Sequence, residues 1–491
     1  MSALDREVVR LLARPRTAAD RLRSRATTAA SAGTGVVLLL LAAVLGLGDD
    51  PATTGVEVVT QADGSTLWTA VTPTAGLVPF IAEPGLRPGV QLGALLLVLP
   101  FAALAVQALR VGAVARQQRE ATLVVVGASQ RDLRRVRVQS TAADAARGAL
   151  WAAPAYLVAW LLLGVALPVG ARLVPVPEPW LALVWVVLVG LLTAAGAAAG
   201  ALLGRHGRHG PAPRPARSGR WAWAWGAGAV ACLGLLALGF ELPWALPADL
   251  SVFLAFSLLL GALLCLAVCG GVVLARSAVG SPTRRVERAA RSGAGAEAVL
   301  AAAQRRANPV AVGASGAVLV LVGICLGVCS VFVTALAATR DLATGYAGDI
   351  AFYGGGAVLA CGVGLVAAAV ALVSLALALT DQLAQARRAV AATVAMGCDV
   401  PRLVEVQARA LAATAVPSAV VGTLVGGLAY GTLQASLDGE WLGARALLPM
   451  AAVPVAAVVV GAAVRLVSCA VAELLTGRVR RAAALENLRT P

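Results

Sequence analysis

The chain has 491 residues, of which 59% are hydrophobic and only 13% charged, with a mean hydropathy of +0.84. A soluble chain of this length needs far more polar surface, so the class is a polytopic membrane protein. The net charge of +15 is carried by arginine alone. With no lysine anywhere, a phosphate-cradling G-x-x-x-x-G-K-[ST] loop is excluded, and ATP hydrolysis by that route with it.

Residues 1–32 form a basic arm. In LDREVVRLLARPRTAADRLRS, Leu4, Val8, Leu11 and Leu12 share one helical face with arginines opposite, the pattern of a helix lying on the inner membrane surface. Pro15 breaks it after about ten residues. Ten apolar runs follow that are long enough to span a bilayer, at about 33–48, 90–112, 149–170, 180–204, 222–243, 251–275, 310–336, 353–380, 410–430 and 446–469.

Charge then orients the spans. Arginines concentrate in the arm, in 113–148, 205–221, 276–309 and 381–409, and in the tail. The alternate loops are poor in arginine; 49–89 carries Asp49, Asp50, Glu57, Asp63 and Glu83 against Arg87 alone. The expectation is a multi-pass protein of the cytoplasmic (inner) membrane with both termini cytoplasmic, which an even number of spans satisfies. Its arginines alternate with the lipid-bilayer spans instead of forming one patch, so no nucleic-acid partner is expected.

Several smaller features read as packing or anchoring. Trp221, Trp223 and Trp225 open the fifth span at headgroup level. His206 and His209 stand in a Pro/Gly/Arg linker without acidic or thiol partners, and the i,i+4 pairs Cys265/Cys269 and Cys325/Cys329 lack buried His or carboxylate, so no metal site is expected. The spacings Gly196/Gly200/Gly204, Gly323/Gly327 and Gly422/Gly426 let helices approach closely.

The most informative pattern is a duplication. REATLVVVGASQRDLRRV (119–136) has a looser echo, RRAVAATVAMGCDVPRLVEV (387–406). A shift of 270 positions superposes Ala121 on Ala391, Val124 on Val394, Gly127 on Gly397, Leu133 on Leu403 and Val136 on Val406. Each copy reads as a helical continuation of a span, cut by a glycine at a helix C′ position and followed by a second short helix that Ser129 or Asp399 caps. That second helix displays Arg131, Arg134, Arg135 and Arg137 in copy one, and Arg402, Glu405 and Arg409 in copy two. The implied fold is all-α, about ten transmembrane helices arranged as two parallel four-helix repeats (33–204 and 310–470). A linker, two-helix insert and cytoplasmic loop (205–309) join them, and a cytoplasmic tail (471–491) follows.

These segments resemble the FtsX-like permease family, the membrane subunits of type VII ABC transporters, whose R-x-x-E-x-x-x-x-x-x-G-A-s segment follows the second span. Arg116, Glu120, Gly127, Ala128 and Ser129 match it in copy one; copy two keeps Arg387, Gly397 and Asp399 but has Val390 where copy one has Glu120. The order of four, two and four spans is similar to the ten-span members. The resemblance implies that the chain binds no cofactor itself, ATP and Mg being held by two copies of a separate cytoplasmic ABC ATPase. Arg116, Arg119, Glu120, Gly127, Ser129, Arg131, Arg134, Arg135, Arg387, Arg388, Gly397, Asp399, Arg402 and Glu405 would couple those ATPases to the membrane.

One departure is clear: the family's large extracytoplasmic domain is missing, the outer loop 49–89 being too short for an independent domain. The expected function is therefore a non-enzymatic permease subunit that exports or extracts a lipophilic substrate by mechanotransmission. Two alternatives remain, an ATP-driven regulator acting on an envelope partner through loop 49–89, and an ion-coupled secondary carrier.

Overall fold

The computed structural model describes residues 6–15, 17–48, 56–60, 66–70, 76–82, 86–206, 224–232, 234–235, 248–280, 296–307, 309–339, 347–437 and 444–488. Nine of the described helices are long and apolar enough to cross a membrane, so the chain is a multi-pass membrane protein. Of the expected fifth span, 224–232 and 234–235 are helical and the rest lies outside the described residues, as do Trp221, Trp223 and His209. The chain divides into two units, Met1–Ala212 and Pro213–Pro491.

In the first unit, α1 (Arg6–Ala13) and α2 (Ala18–Leu45) are separated at Pro15, and Thr17 starts α2 with a capping box closed by Asp20. Arg21, Arg23 and Arg25 of the arm and the first apolar run thus lie on one continuous helix. A short antiparallel hairpin, β1 (Val56–Thr60) with β2 (Thr66–Ala70), and a one-turn helix α3 (Pro79–Ala82) occupy the following loop. The described elements are otherwise helical, as expected; VEVVT and TLWTA are rich in β-branched and aromatic residues, but each is too short to stand out beside the membrane runs.

Next come α4 (Arg87–Arg110), α5 (Ala113–Val125), α6 (Gln130–Trp160, ending in a π-helical turn at Leu161–Val165) and α7 (Trp180–His206). Helix α2 packs on α4 and α6, and α6 on α7. The core between them holds Leu39, Ala43, Ala152, Tyr156, Val174 and Leu181. Small residues set the spacing. A Cβ on Gly196 would stand 2.7 Å from the Ala145 Cβ, and one on Gly200 2.9 Å from the Arg137 carbonyl oxygen.

The second unit contains α8 (Ala248–Gly280), α9 (Ala296–Ala307), α10 (Pro309–Thr339), α11 (Ala347–Gln385), α12 (Arg387–Ala395), α13 (Val400–Leu437), α14 (Ala444–Leu474) and α15 (Thr476–Ala483). Helix α10 packs on α8, α11, α13 and α14, and α13 packs on α14. The glycine spacings explain the closest of these contacts. A Cβ added at Gly323 or Gly327 would run into the carbonyls of Ala419 or Thr423, and one at Gly422 or Gly426 into those of Val320 or Ile324.

One sequence expectation is corrected in both units. The arginine-bearing second helix of each duplicated segment is not a separate short element, because α6 and α13 run unbroken from the segment into the apolar span. Gly148 at the junction in α6 keeps a helical φ and packs on Thr28 and Ser31, and no proline stands at either junction, so hydrogen bonding propagates through. The first arms do break away from their spans, at Gly112 (φ 71°) before α5 and at Ala386 before α12.

Candidate functional site: two capped helical hairpins

Each duplicated segment folds as a helical hairpin, α5 with the start of α6 and α12 with the start of α13. The turns have the same backbone. Gly127 has φ 97° and Gly397 φ 96°. The amide of Gly127 donates to the Val124 carbonyl at 2.9 Å and that of Ala128 to Leu123 at 2.9 Å. The amides of Gly397 and Cys398 donate likewise to Val394 at 2.9 Å and Thr393 at 3.1 Å. Both are Schellman closures, in which glycine supplies the positive φ and the last carbonyls of the first arm are satisfied. A Cβ at either glycine would meet nothing within 4 Å, so the requirement is for backbone conformation rather than space.

The tips are apolar and open. Val125 and Val126 are 87% and 81% exposed, and Met396, at the position equivalent to Val126, is 79% exposed. Among the described residues none covers them, although both hairpins are otherwise well tied down.

In copy one, Ser129 caps α6 through a capping box with Asp132, which is fully buried. Asp132 was not among the expected residues; the S-x-x-D spacing is its sequence signal. Arg131, Arg134 and Arg135 stand exposed on the first turns of α6, with Arg135 3.9 Å from Asp132. Arg116 and Arg119 point back toward the base, donating to the carbonyls of Leu109 and Leu12, the latter at 2.7 Å. Glu120 pairs with Arg137 across the hairpin at 3.1 Å. Helix α1 packs on α6, so the arm expected at the membrane surface braces this hairpin. A cavity of about 50 Å³ at the junction is lined by Arg14, Arg23, Arg116, Arg119 and Arg137 with Asp20 and Glu120.

Copy two is held differently. Val390 and Gln407 replace Glu120 and Arg137, and Arg402 replaces Asp132, so neither the cross-hairpin ion pair nor the capping box can form. Val390, Val394, Val400 and Val404 pack instead around Leu383, Leu403 and Val479, the last supplied by α15. Arg387 donates to the Ala384 carbonyl at 2.9 Å, and Arg388, Asp399 and Arg402 are exposed. Glu405 pairs with Arg409 at 2.6 Å, and Arg409 reaches Glu297 on α9. Helix α9 packs on α13 through Leu300, Ala301, Val406 and Ala410. The bracing by α9 and α15 is not legible in the sequence, because both are short segments with few large apolar residues and their partners lie far away along the chain.

Compared with known proteins, the chain matches no family model, no curated protein and no solved structure.

Proposed function

We propose that the chain is the membrane subunit of an ABC-type machine of the FtsX-like kind, in which each hairpin seats one separate ATPase subunit. The observation that carries the reading is the recurrence, 270 residues apart, of one Schellman-closed turn with an exposed large apolar residue beside the glycine. One exposed apolar residue alone says little; its return at the same position of two matching capped turns supports reading the turns as a pair of contacts for another protein. The neighbour patterns support a duplication as well. The pairings α2–α4, α2–α6 and α6–α7 recur as α10–α11, α10–α13 and α13–α14.

The mechanics follow from which joints are stiff. Helix α6 spans 31 residues, about 46 Å as one rod. A push on the Gly127 turn is carried along α6 into the bundle, while the glycine at 112 lets α5 swing. Copy two has the same plan, with α13 as the rod and the joint at Ala386. ATP and Mg would act on the partner, both termini would be cytoplasmic, and a lipophilic substrate would be exported or extracted by the moving spans.

The test is co-expression with candidate ABC ATPase subunits from the same genome, followed by detergent extraction and co-purification with and without ATP. Retention of the ATPase supports the reading; an ATPase that never accompanies the chain defeats it. One observation favours the regulatory alternative: the loop after α2 carries the β1–β2 hairpin, a small ordered hook for an envelope partner. Loss of a downstream envelope activity on deletion of 56–70, with ATPase coupling intact, would select it.

A further inference from the structure

At the end of the first unit opposite the Gly127 turn, a cavity of about 160 Å³ lies between the end of α2, the π-helical turn and the start of α7. Ala43, Leu77, Val174 and Leu181 make an apolar floor. Arg172 stands in its wall, and its guanidinium makes no hydrogen bond or ion pair among the described residues although its Nε is wholly buried. Among the described residues the one carboxylate lining the cavity, Glu178, is already engaged by the Trp180 indole N–H at 2.8 Å. A buried donor left unmade is costly, and an arginine fork is suited to two oxygens of one anion.

The backbone that carries Arg172 is clamped on both sides. Its carbonyl accepts from the Val78 amide at 3.0 Å, the Gly170 amide donates to Gly76 at 2.8 Å, and the Leu173 amide donates to Leu163 at 2.8 Å. The crossing over the π-helical turn needs glycine, since a Cβ at Gly164 would lie 2.7 Å from the Val174 carbonyl oxygen. π-Helical turns of this kind recur at functional sites. The main chain from which Arg172 projects is therefore fixed before any ligand arrives.

The geometry points to a binding site for the anionic headgroup, phosphate or carboxylate, of an amphiphile. Arg172 takes the charge and the floor takes the first carbons. A cavity near 150 Å³ accepts a group of about the size of benzene, so longer tails stay outside, against the exposed Val169 and Val176. The site does not depend on the proposed ATPase partner. Its anion could belong to a bilayer lipid or to a soluble molecule.

The experiment is native mass spectrometry of the full chain released from micelles with dioleoylphosphatidylglycerol, dioleoylglycerol or glycerol phosphate. Phosphatidylglycerol is expected on the wild type and on Arg172→Lys, and at least about tenfold weaker on Arg172→Gln; dioleoylglycerol stays at the level of the latter. Glycerol phosphate binding as tightly, with the same dependence on Arg172, supports the anion site and assigns it to a soluble ligand. Should Arg172→Gln fail to fold, Val176→Trp at the exposed lip blocks entry with Arg172 intact and gives the same loss. Phosphatidylglycerol held equally by Arg172→Gln or Val176→Trp, or dioleoylglycerol held as well as phosphatidylglycerol, overturns the proposal.

Discussion

Arg137 and Glu120 close the base of the first hairpin through a 3.1 Å ion pair, and 270 positions later the same two places hold Gln407 and Val390. Both partners change together, which is what a charge inside a hairpin requires: losing one alone leaves the other without a counter-charge. The second hairpin replaces electrostatics with the valine cluster under Val479. The two hairpins thus share a shape and differ in what holds it.

Transplanting the second solution into the first tests this directly. Glu120→Val alone and Arg137→Gln alone are each expected to loosen the hairpin, and the double variant to do so by less than the sum. Both side chains are about a quarter exposed or less, so the coupling energy is about 1 kcal/mol, falling as salt rises. Thermal melts at low and high salt measure it.

The glycine turns give a second prediction. Gly127→Val and Gly397→Val meet no steric obstacle, only an unfavourable φ costing about 1–2 kcal/mol. Amide hydrogen exchange over 123–133 or 393–403 should accelerate locally, with insertion and overall melting little changed. Asparagine, which tolerates positive φ, should restore much of the protection.

Inside the first unit, Ser24 on α2 donates to the buried Asp144 of α6 at 2.7 Å, and Arg147 donates to the same carboxylate at 2.9 Å. Arg23, also buried, lies 3.9 Å from its other oxygen. Asp144→Ala strands Arg23 and is expected to cost about 3–5 kcal/mol; Ser24→Ala, which removes one hydrogen bond, about 1 kcal/mol. Denaturation in mild detergent separates the two.

The interface between α10 and α13 has no room for a side chain at its glycines. Gly323→Ala and Gly426→Ala are expected to destabilise by about 1–3 kcal/mol each by pushing the helices apart. Gly190→Ala on α7, where a Cβ meets nothing, should be neutral in the same melt.

How legible this was depends on the distance between cause and effect along the chain. Nine of the ten expected spans, the break at Pro15 and the two glycine turns follow from short-range pattern, and among the described residues the structure has them where apolar runs, proline and glycine put them. The unbroken passage of α6 and α13 into the membrane was missed because a polar-to-apolar change in composition resembles a boundary while the backbone has no reason to stop. Ser24–Asp144 and Arg137–Glu120 depend on packing between elements, which no local window reveals. Asp132 is readable from S-x-x-D, a local pattern.

The central claim is that the two exposed tips are a pair of docking points. Native mass spectrometry of the chain co-expressed with candidate ABC ATPase subunits, in wild type, Val126→Asp, Met396→Asp and the double variant, is the direct test. These are exposed positions, so stability should change by no more than about 0.5 kcal/mol. The account predicts two ATPases on the wild type, one on each single variant and none on the double. The same stoichiometry in all four would contradict it.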